Sequence, residues 1–176
     1  SVVSYSFAPF SYCAKNGFVG VGSKITIAGS NSFIGAATQS CILQSGNSFI
    51  GAGFNHCQTG GGGNFTGAGQ NSTIDGNSNF IGVSHLRACI IGGDSSSIMA
   101  GSCRTINSDY SAVLTGRDNC IPSGCNKTMI LGTCITADRE CATFVNNLSI
   151  KDIPTSSAGL PSGSVWNNSG VLNIVT

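Results

Sequence analysis

A short apolar motif ending in glycine recurs along this chain at a spacing that suits neither a helix nor an ordinary antiparallel sheet. Asn31-Ser32-Phe33-Ile34-Gly35-Ala36 returns sixteen positions on as Asn47-Ser48-Phe49-Ile50-Gly51-Ala52, then as Asn64-Phe65-Thr66-Gly67-Ala68 and Asn79-Phe80-Ile81-Gly82. Gly17-Phe18-Val19-Gly20 is an upstream copy, and Val113-Leu114-Thr115-Gly116 and Met129-Ile130-Leu131-Gly132 are degenerate downstream ones. A second series, Cys41-Ile42, Cys57-Gln58, Thr73-Ile74, Cys89-Ile90, Thr105-Ile106 and Cys120-Ile121, is interleaved with the first. Together they place an apolar pair about every eight residues from Ile25 to Ile130, with a slip in register near Gly82 to Gly101.

A helix would repeat its apolar residues at i, i+3, i+4 and i+7. A meander would carry longer alternating runs between turn signals. Short strands, each ended by Gly, Asn or Ser, predict instead an all-β chain wound as a repetitive β-solenoid (a β-helix or β-roll) with coils of about 16 residues. No such coil buries its own apolar face; stacking the coils builds a continuous core. Glycine at the corners supplies positive φ, and asparagine tolerates the same region.

Composition narrows the function classes. Only 9 % of the 176 residues are charged, and the net charge is +1, which leaves no basic stripe for tracking phosphates and argues against a nucleic-acid partner. Gly, Ser or Asn interrupts every apolar run well short of the roughly 20 residues of a membrane-spanning helix. At 40 % hydrophobic the chain is not of the disordered class. A start at Ser1 without methionine or signal pattern is expected of an excised domain or processed fragment.

Nine cysteines would ordinarily point to a secreted disulfide framework. No CxxC pair occurs, the count is odd, and Cys41, Cys57, Cys89 and Cys120 share one repeat position with Thr73 and Thr105. The expectation is therefore a column of small, buried, reduced side chains packing as free cysteine commonly does, formed in a reducing compartment.

The chain divides into residues 1–17, an N-terminal cap or connector rich in Tyr and Phe and lacking the repeat; 18–145, the solenoid; and 146–176, a C-terminal loop and hairpin. In the last part Pro154 and Pro161 break regular structure. Val165–Asn167 and Val171–Val175 form strands around an Asn168-Ser169-Gly170 turn. The Phe series (Phe18, Phe33, Phe49, Phe65, Phe80) is bulky for one thin coil to enclose, which favours burial shared between chains.

The doublet-Gly motif of 31–37 and 47–53, followed by an Asn- or Ser-rich turn, resembles the repeats of β-roll heads in trimeric autotransporter adhesins and those of β-solenoid fibres in tailed phages and large DNA viruses. Residues 153–175, with Ile153-Pro154-Thr155-Ser156, Gly159-Leu160-Pro161-Ser162-Gly163, Val165-Trp166-Asn167 and Gly170-Val171-Leu172-Asn173-Ile174-Val175, are similar to a short terminal motif of phage and giant-virus structural proteins, with Ile153 where Leu is usual. An adhesin head would continue into a coiled-coil stalk, and no heptads occur, so the resemblance favours the virion fibre. It implies a homotrimer, joined upstream to other virion proteins, folded in the host cytoplasm and carried on the virion surface as a fibre or tail. It further implies host attachment through multivalent weak binding to surface glycans, the alternative being an architectural shaft or capsid-decoration segment that binds no receptor.

No enzyme, cofactor or metal site is expected. Asp75, Asp94, Asp109, Asp118, Asp138, Glu140 and Asp152 are scattered, although Asp109 and Asp118 could meet across a coil as a glycosidase pair. His56 beside Cys57 and His85 four residues before Cys89 are unequally spaced, unlike a designed metal site, and are expected to face solvent or to be satisfied in the core. Gly60-Gly61-Gly62-Gly63 lacks the Lys-Ser/Thr of a phosphate loop and reads as a corner. Threonines too irregular for a flat column argue against ice binding. Asp138-Arg139-Glu140 reads as a salt-bridged loop, sequon matches such as Asn64-Phe65-Thr66 are expected by chance, and Tyr110 and Trp166 are the aromatics to inspect for glycan contact.

Overall fold

The computed structural model describes residues 5–6, 11–12, 16–44 and 46–176, and among them there is no helix. The chain winds as a parallel β-solenoid of about eight turns, followed by a separate two-stranded antiparallel sheet. One coil shows the logic. Strand Phe33–Thr38 runs into a corner at Gln39 (φ 52°), strand Cys41–Leu43 follows, and Gln44 (φ 56°) and Asn47 (φ 52°) turn the chain into the next copy. Each strand pairs in parallel with its equivalent one coil on: Phe33↔Phe49↔Phe65↔Phe80↔Ser97 on one face and Cys41↔Cys57↔Thr73↔Cys89↔Thr105 on the other.

Alternation along each strand decides which side faces in. In Phe33-Ile34 and Cys41-Ile42 the isoleucine turns inward. Ile34, Ile50, Ile81, Ile98, Val113 and Ile130 stack as one fully buried column, and Ile42, Ile74, Ile90, Ile106 and Ile121 as a second. Each such side chain contributes roughly 1.5–3 kcal/mol by burial. One coil replaces isoleucine on both faces, by Gln58 and Thr66, and these two answer each other across the core: Gln58 Nε2 donates to Thr66 Oγ1 and to the Phe49 carbonyl, both at 2.9 Å.

The first half of each apolar pair is therefore outside. The Phe series does not fill the coil interior, as the bulk argument implied; its rings lie on the outer face. The Cys/Thr column is half-exposed rather than buried, for the same reason. Stacking also brings Cys41 and Cys57 to a Cα separation of 4.7 Å, where they form a disulfide instead of a reduced pair. Of the described free thiols only Cys125 is buried, while Cys103, Cys134 and Cys141 are exposed at corners.

Asparagine and serine hold the corners. The Asn64 side chain accepts from the Asn79 N–H at 3.0 Å, Asn79 from the Ser96 N–H at 2.8 Å, Ser96 from the Ser111 N–H at 3.1 Å, and Ser111 from the Thr128 N–H at 3.2 Å. One side chain per coil thus satisfies an amide of the neighbouring coil that the ladder would leave unpaired.

The N-terminal segment does not wholly lack the repeat. Tyr5–Ser6 pairs in parallel with Val21–Gly22, and Ser11–Tyr12 with Thr26–Ile27, so the ladder continues upstream of Phe18; Phe7, Pro9 and Phe10 lie outside the described residues. The slip near Gly82 is a β-bulge between Ser84 and Leu86, where one coil carries an extra residue. Chain contacts divide the protein into Ser1–Asn146 and Asn147–Thr176. In the second unit Val165–Asn168 pairs antiparallel with Val171–Ile174 around Ser169 (φ 54°) and Gly170 (φ 96°), the two positive φ values of a tight type I′ turn.

Candidate functional site

Two surfaces of the solenoid stand out, one apolar and one polar. On the apolar face five rings, Phe18, Phe33, Phe49, Phe65 and Phe80, stack with centroids 4.9–5.0 Å apart and planes within 4–9° of parallel. The spacing is that of the strands themselves. The rings from Phe33 to Phe80 lean over the glycine two residues on: a Cβ on Gly35, Gly51, Gly67 or Gly82 would stand 3.2–3.4 Å from the Cε1 of its own phenylalanine. Phe-Φ-Gly is thus a unit, with glycine supplying the floor on which the ring lies flat. Val21 and Val83 flank the ladder at 61 % and 59 % exposure, with Ala36 and Ala52 exposed between them, so the face is apolar along its length.

The polar surface lies at the corner that joins the two faces. Residues here hold positive φ: Gln39, Asn55, Asn71, Arg87 (φ 37°), Cys103 and Asp118. Asn55 Nδ2 donates to Asn71 Oδ1 at 2.9 Å. Beside them is a cleft of about 440 Å³ lined by Asn55, Cys57, Asn71, Thr73 and Arg87. A smaller cleft of about 190 Å³, lined by Arg87, Cys103, Arg104 and Thr105, shares Arg87 as a wall.

Arg104 and His56 occupy one inward column, Ile25, Ser40, His56, Ser72, Ala88, Arg104 and Asn119, just past this corner. The sequence makes room for both. Gly53 and Gly101, three residues before them, take φ 134° and 124°, and a Cβ on either would collide with the His56 Nε2 or lie 2.8 Å from the Arg104 NH1. Arg104 is 1 % exposed, and its three guanidinium nitrogens have no hydrogen-bond partner. Burial pulls its pKa below that of a free arginine. Neither ring nitrogen of His56 reaches a partner in full hydrogen-bond geometry, although the Ala52 and Gly69 backbone lies alongside. His85 faces solvent as expected, whereas His56 does not: its ring is buried in the core beside the Ala52 and Gly69 backbone. His56 replaces the small side chains found at Ser40 and Ser72 in a thin core, where only the Ala52 and Gly69 backbone lies close to its ring.

Desolvation lowers the His56 pKa from 6.5, with the backbone at Ala52 and Gly69 opposing it. The folded protein therefore binds this proton less readily than the unfolded chain. Its contribution to stability is complete above pH 6.5 and is lost as pH falls through 6.5 toward the folded value. The melting temperature should accordingly drop between pH 7.5 and pH 5, and His56→Ser, which installs the residue found at Ser40 and Ser72 in the same column, should flatten that dependence. An unchanged slope in the variant would remove His56 as its source.

The remaining residues singled out in the sequence do not converge. Asp109 and Asp118 sit at different corners. Asp109 Oδ1 accepts the Asp94 N–H at 2.8 Å, while Asp118 lies 3.9 Å from Arg117 in an exposed pair. Asp94 in turn accepts the Asn77 N–H at 2.7 Å, so these carboxylates extend the amide-satisfying ladder. His56 points inward and Cys57 outward, which prevents joint coordination; His85 is exposed, and the Cys89 side chain lies outside those described. No group of three or more His, Cys, Asp or Glu able to hold a metal ion occurs among the described residues. Gly60, Gly61 and Gly63 take positive φ at a corner, where the Gly62 N–H donates to Asn77 Oδ1 at 3.1 Å. Asn64 of the sequon is 1 % exposed. Arg139 pairs with Asp138 at 3.0 Å. Tyr110 is 65 % exposed at a solenoid corner, and Trp166 is half-buried in the hairpin opposite Asn173.

Sequence reasoning missed Arg87 and Arg104. The available signal was the inserted residue that shifts the register at 84–86, together with Gly101-x-x-Arg104 repeating Gly53-x-x-His56. No family model matches this chain, and neither a curated protein nor a solved structure matches it.

Proposed function

We propose that the chain is a structural and receptor-binding module of a virion fibre or spike, assembled as a homotrimer whose shared face is the phenylalanine ladder. The observation that carries this reading is the apolar outer face of stacked rings flanked by exposed valine and alanine. A single chain leaves that surface in water, and contiguous exposed apolar patches of this kind mark interaction sites. The flat ladder has the same repeat in every copy, which suits a symmetric contact between identical chains. The polar corners then face outward, and three equivalent weak sites gain avidity for a surface glycan.

The disulfide fits a particle that meets oxidising surroundings. The ladder itself sets the 4.7 Å Cα separation of Cys41 and Cys57, so a chain folded reduced in the host cytoplasm closes the bond afterwards without backbone movement.

A glycan array probed with the assembled protein tests the reading. The expected result is binding to a restricted set of glycans that is lost when valency is removed. An assembled protein that binds none of them would instead support the architectural shaft.

A further inference from the structure

We infer that the corner clefts around Arg87 form a binding site for a sugar bearing an oxyanion, a carboxylated or sulfated saccharide. This rests on the glycan-attachment reading and names the class of glycan. The larger cleft, at about 440 Å³, is within the size range of small-molecule sites. Four of its five lining residues, Asn55, Asn71, Thr73 and Arg87, carry hydrogen-bonding side chains, the fifth being the disulfide-bonded Cys57. Asn55 and Asn71 are fixed relative to one another by their 2.9 Å bond, which uses the Asn71 carbonyl and leaves its amide N–H groups to donate; Thr73 adds a hydroxyl. These are partners for sugar hydroxyls.

The charge is what selects an anion. Arg87 forms a wall of both clefts, and no carboxylate lines either. Behind it, Arg104 is among the residues of the smaller cleft, and its guanidinium is buried in the core column without a hydrogen-bond partner. A buried cation without a counter-charge is costly and rare. Two arginines meet at one corner in a chain with only 8 basic residues, and neither is in a salt bridge among the described residues; Asp118, further along the same corner, pairs with Arg117. A carboxylate or sulfate would pair with the Arg87 fork by charge-assisted, bidentate hydrogen bonds. The β-bulge between Ser84 and Leu86 re-aims the strand two residues before Arg87, as bulges beside functional sites do.

The test is a backbone-amide NMR titration of the assembled protein with glucuronate, glucose 6-sulfate and glucose. Glucuronate or glucose 6-sulfate is expected to shift Asn71, Thr73 and Arg87, the tighter of the two naming the anion, while glucose shifts none of them. Arg87→Gln should weaken binding tenfold or more; glutamine occupies this same corner position at Gln39 with φ 52°, so the fold is retained. Arg104→Asn, with Asn119 at the equivalent position one coil on, should weaken binding less and leave the protein folded. Equal shifts with glucose, shifts confined to other residues, no response to any ligand, or Arg87→Gln binding like the wild type would each overturn the inference. Array binding to neutral glycans that Arg87→Gln leaves intact would overturn it while the attachment reading stands. Titration of the clefts with a blank array would do the reverse.

Discussion

Gly35→Val is expected to destabilise the solenoid by about 3 kcal/mol or more, enough to unfold the central coils at room temperature. Gly35 does not need glycine for its φ; it needs it for space. A Cβ there would stand 2.5 Å from the Gly51 carbonyl oxygen of the next coil, and one on Gly20 would stand 2.7 Å from that of Gly35. The contact is with backbone that is itself hydrogen-bonded into the ladder, so no side chain can swing aside. A valine must either separate the coils or break the parallel pairing of Ile34 with Ile50 that buries the core. Gly124→Asn is the matched control. Gly124 has φ 87° with no atom within 4 Å of a built Cβ, and asparagine accepts that conformation at little cost. Urea titrations followed by circular dichroism compare the two; equal midpoints would show that the coils are not stacked through the glycine column.

Phe49→Asp is expected to dissociate the assembly while leaving each chain wound. Phe49 sits mid-ladder, with Phe33 5.0 Å to one side and Phe65 4.9 Å to the other. Its side chain takes no part in the isoleucine columns, so the core survives its loss. An aromatic anchor at the centre of an interface contributes about 2 kcal/mol or more, and three-fold symmetry would bring three new carboxylates together. Thr136→Asp, exposed on the Cys/Thr face, should leave the assembled mass unchanged. The opposite pattern, dissociation by Thr136→Asp and none by Phe49→Asp, would place the Cys/Thr column at the shared face.

The coil length, the parallel stacking and the corner roles of Gly and Asn were legible because one motif repeats and a repeat has few ways to stack. The inside-outside assignment was harder to read. Phe33-Ile34 is two apolar residues in succession, and alternation alone does not say which turns in. The structure shows that glycine decides it: Phe needs Gly35 as a flat floor outside, which leaves Ile34 to the core. The same one-residue ambiguity hid the exposure of the cysteine column, and with it the Cys41–Cys57 bond. The clefts at Arg87 were not legible, because they join residues from several coils at a register slip. The Gly101-x-x-Arg104 pairing needed the column of His56 to be recognised first.

The native mass of the protein in solution, measured by light scattering with and without reductant, tests the shared-face fibre most directly. The expected result is three times 17.8 kDa in both conditions, because the disulfide lies within one chain and the proposed trimer is held by the phenylalanine face alone. A mass of 17.8 kDa would contradict it. It would mean that the stacked rings stand in water on a single-chain solenoid.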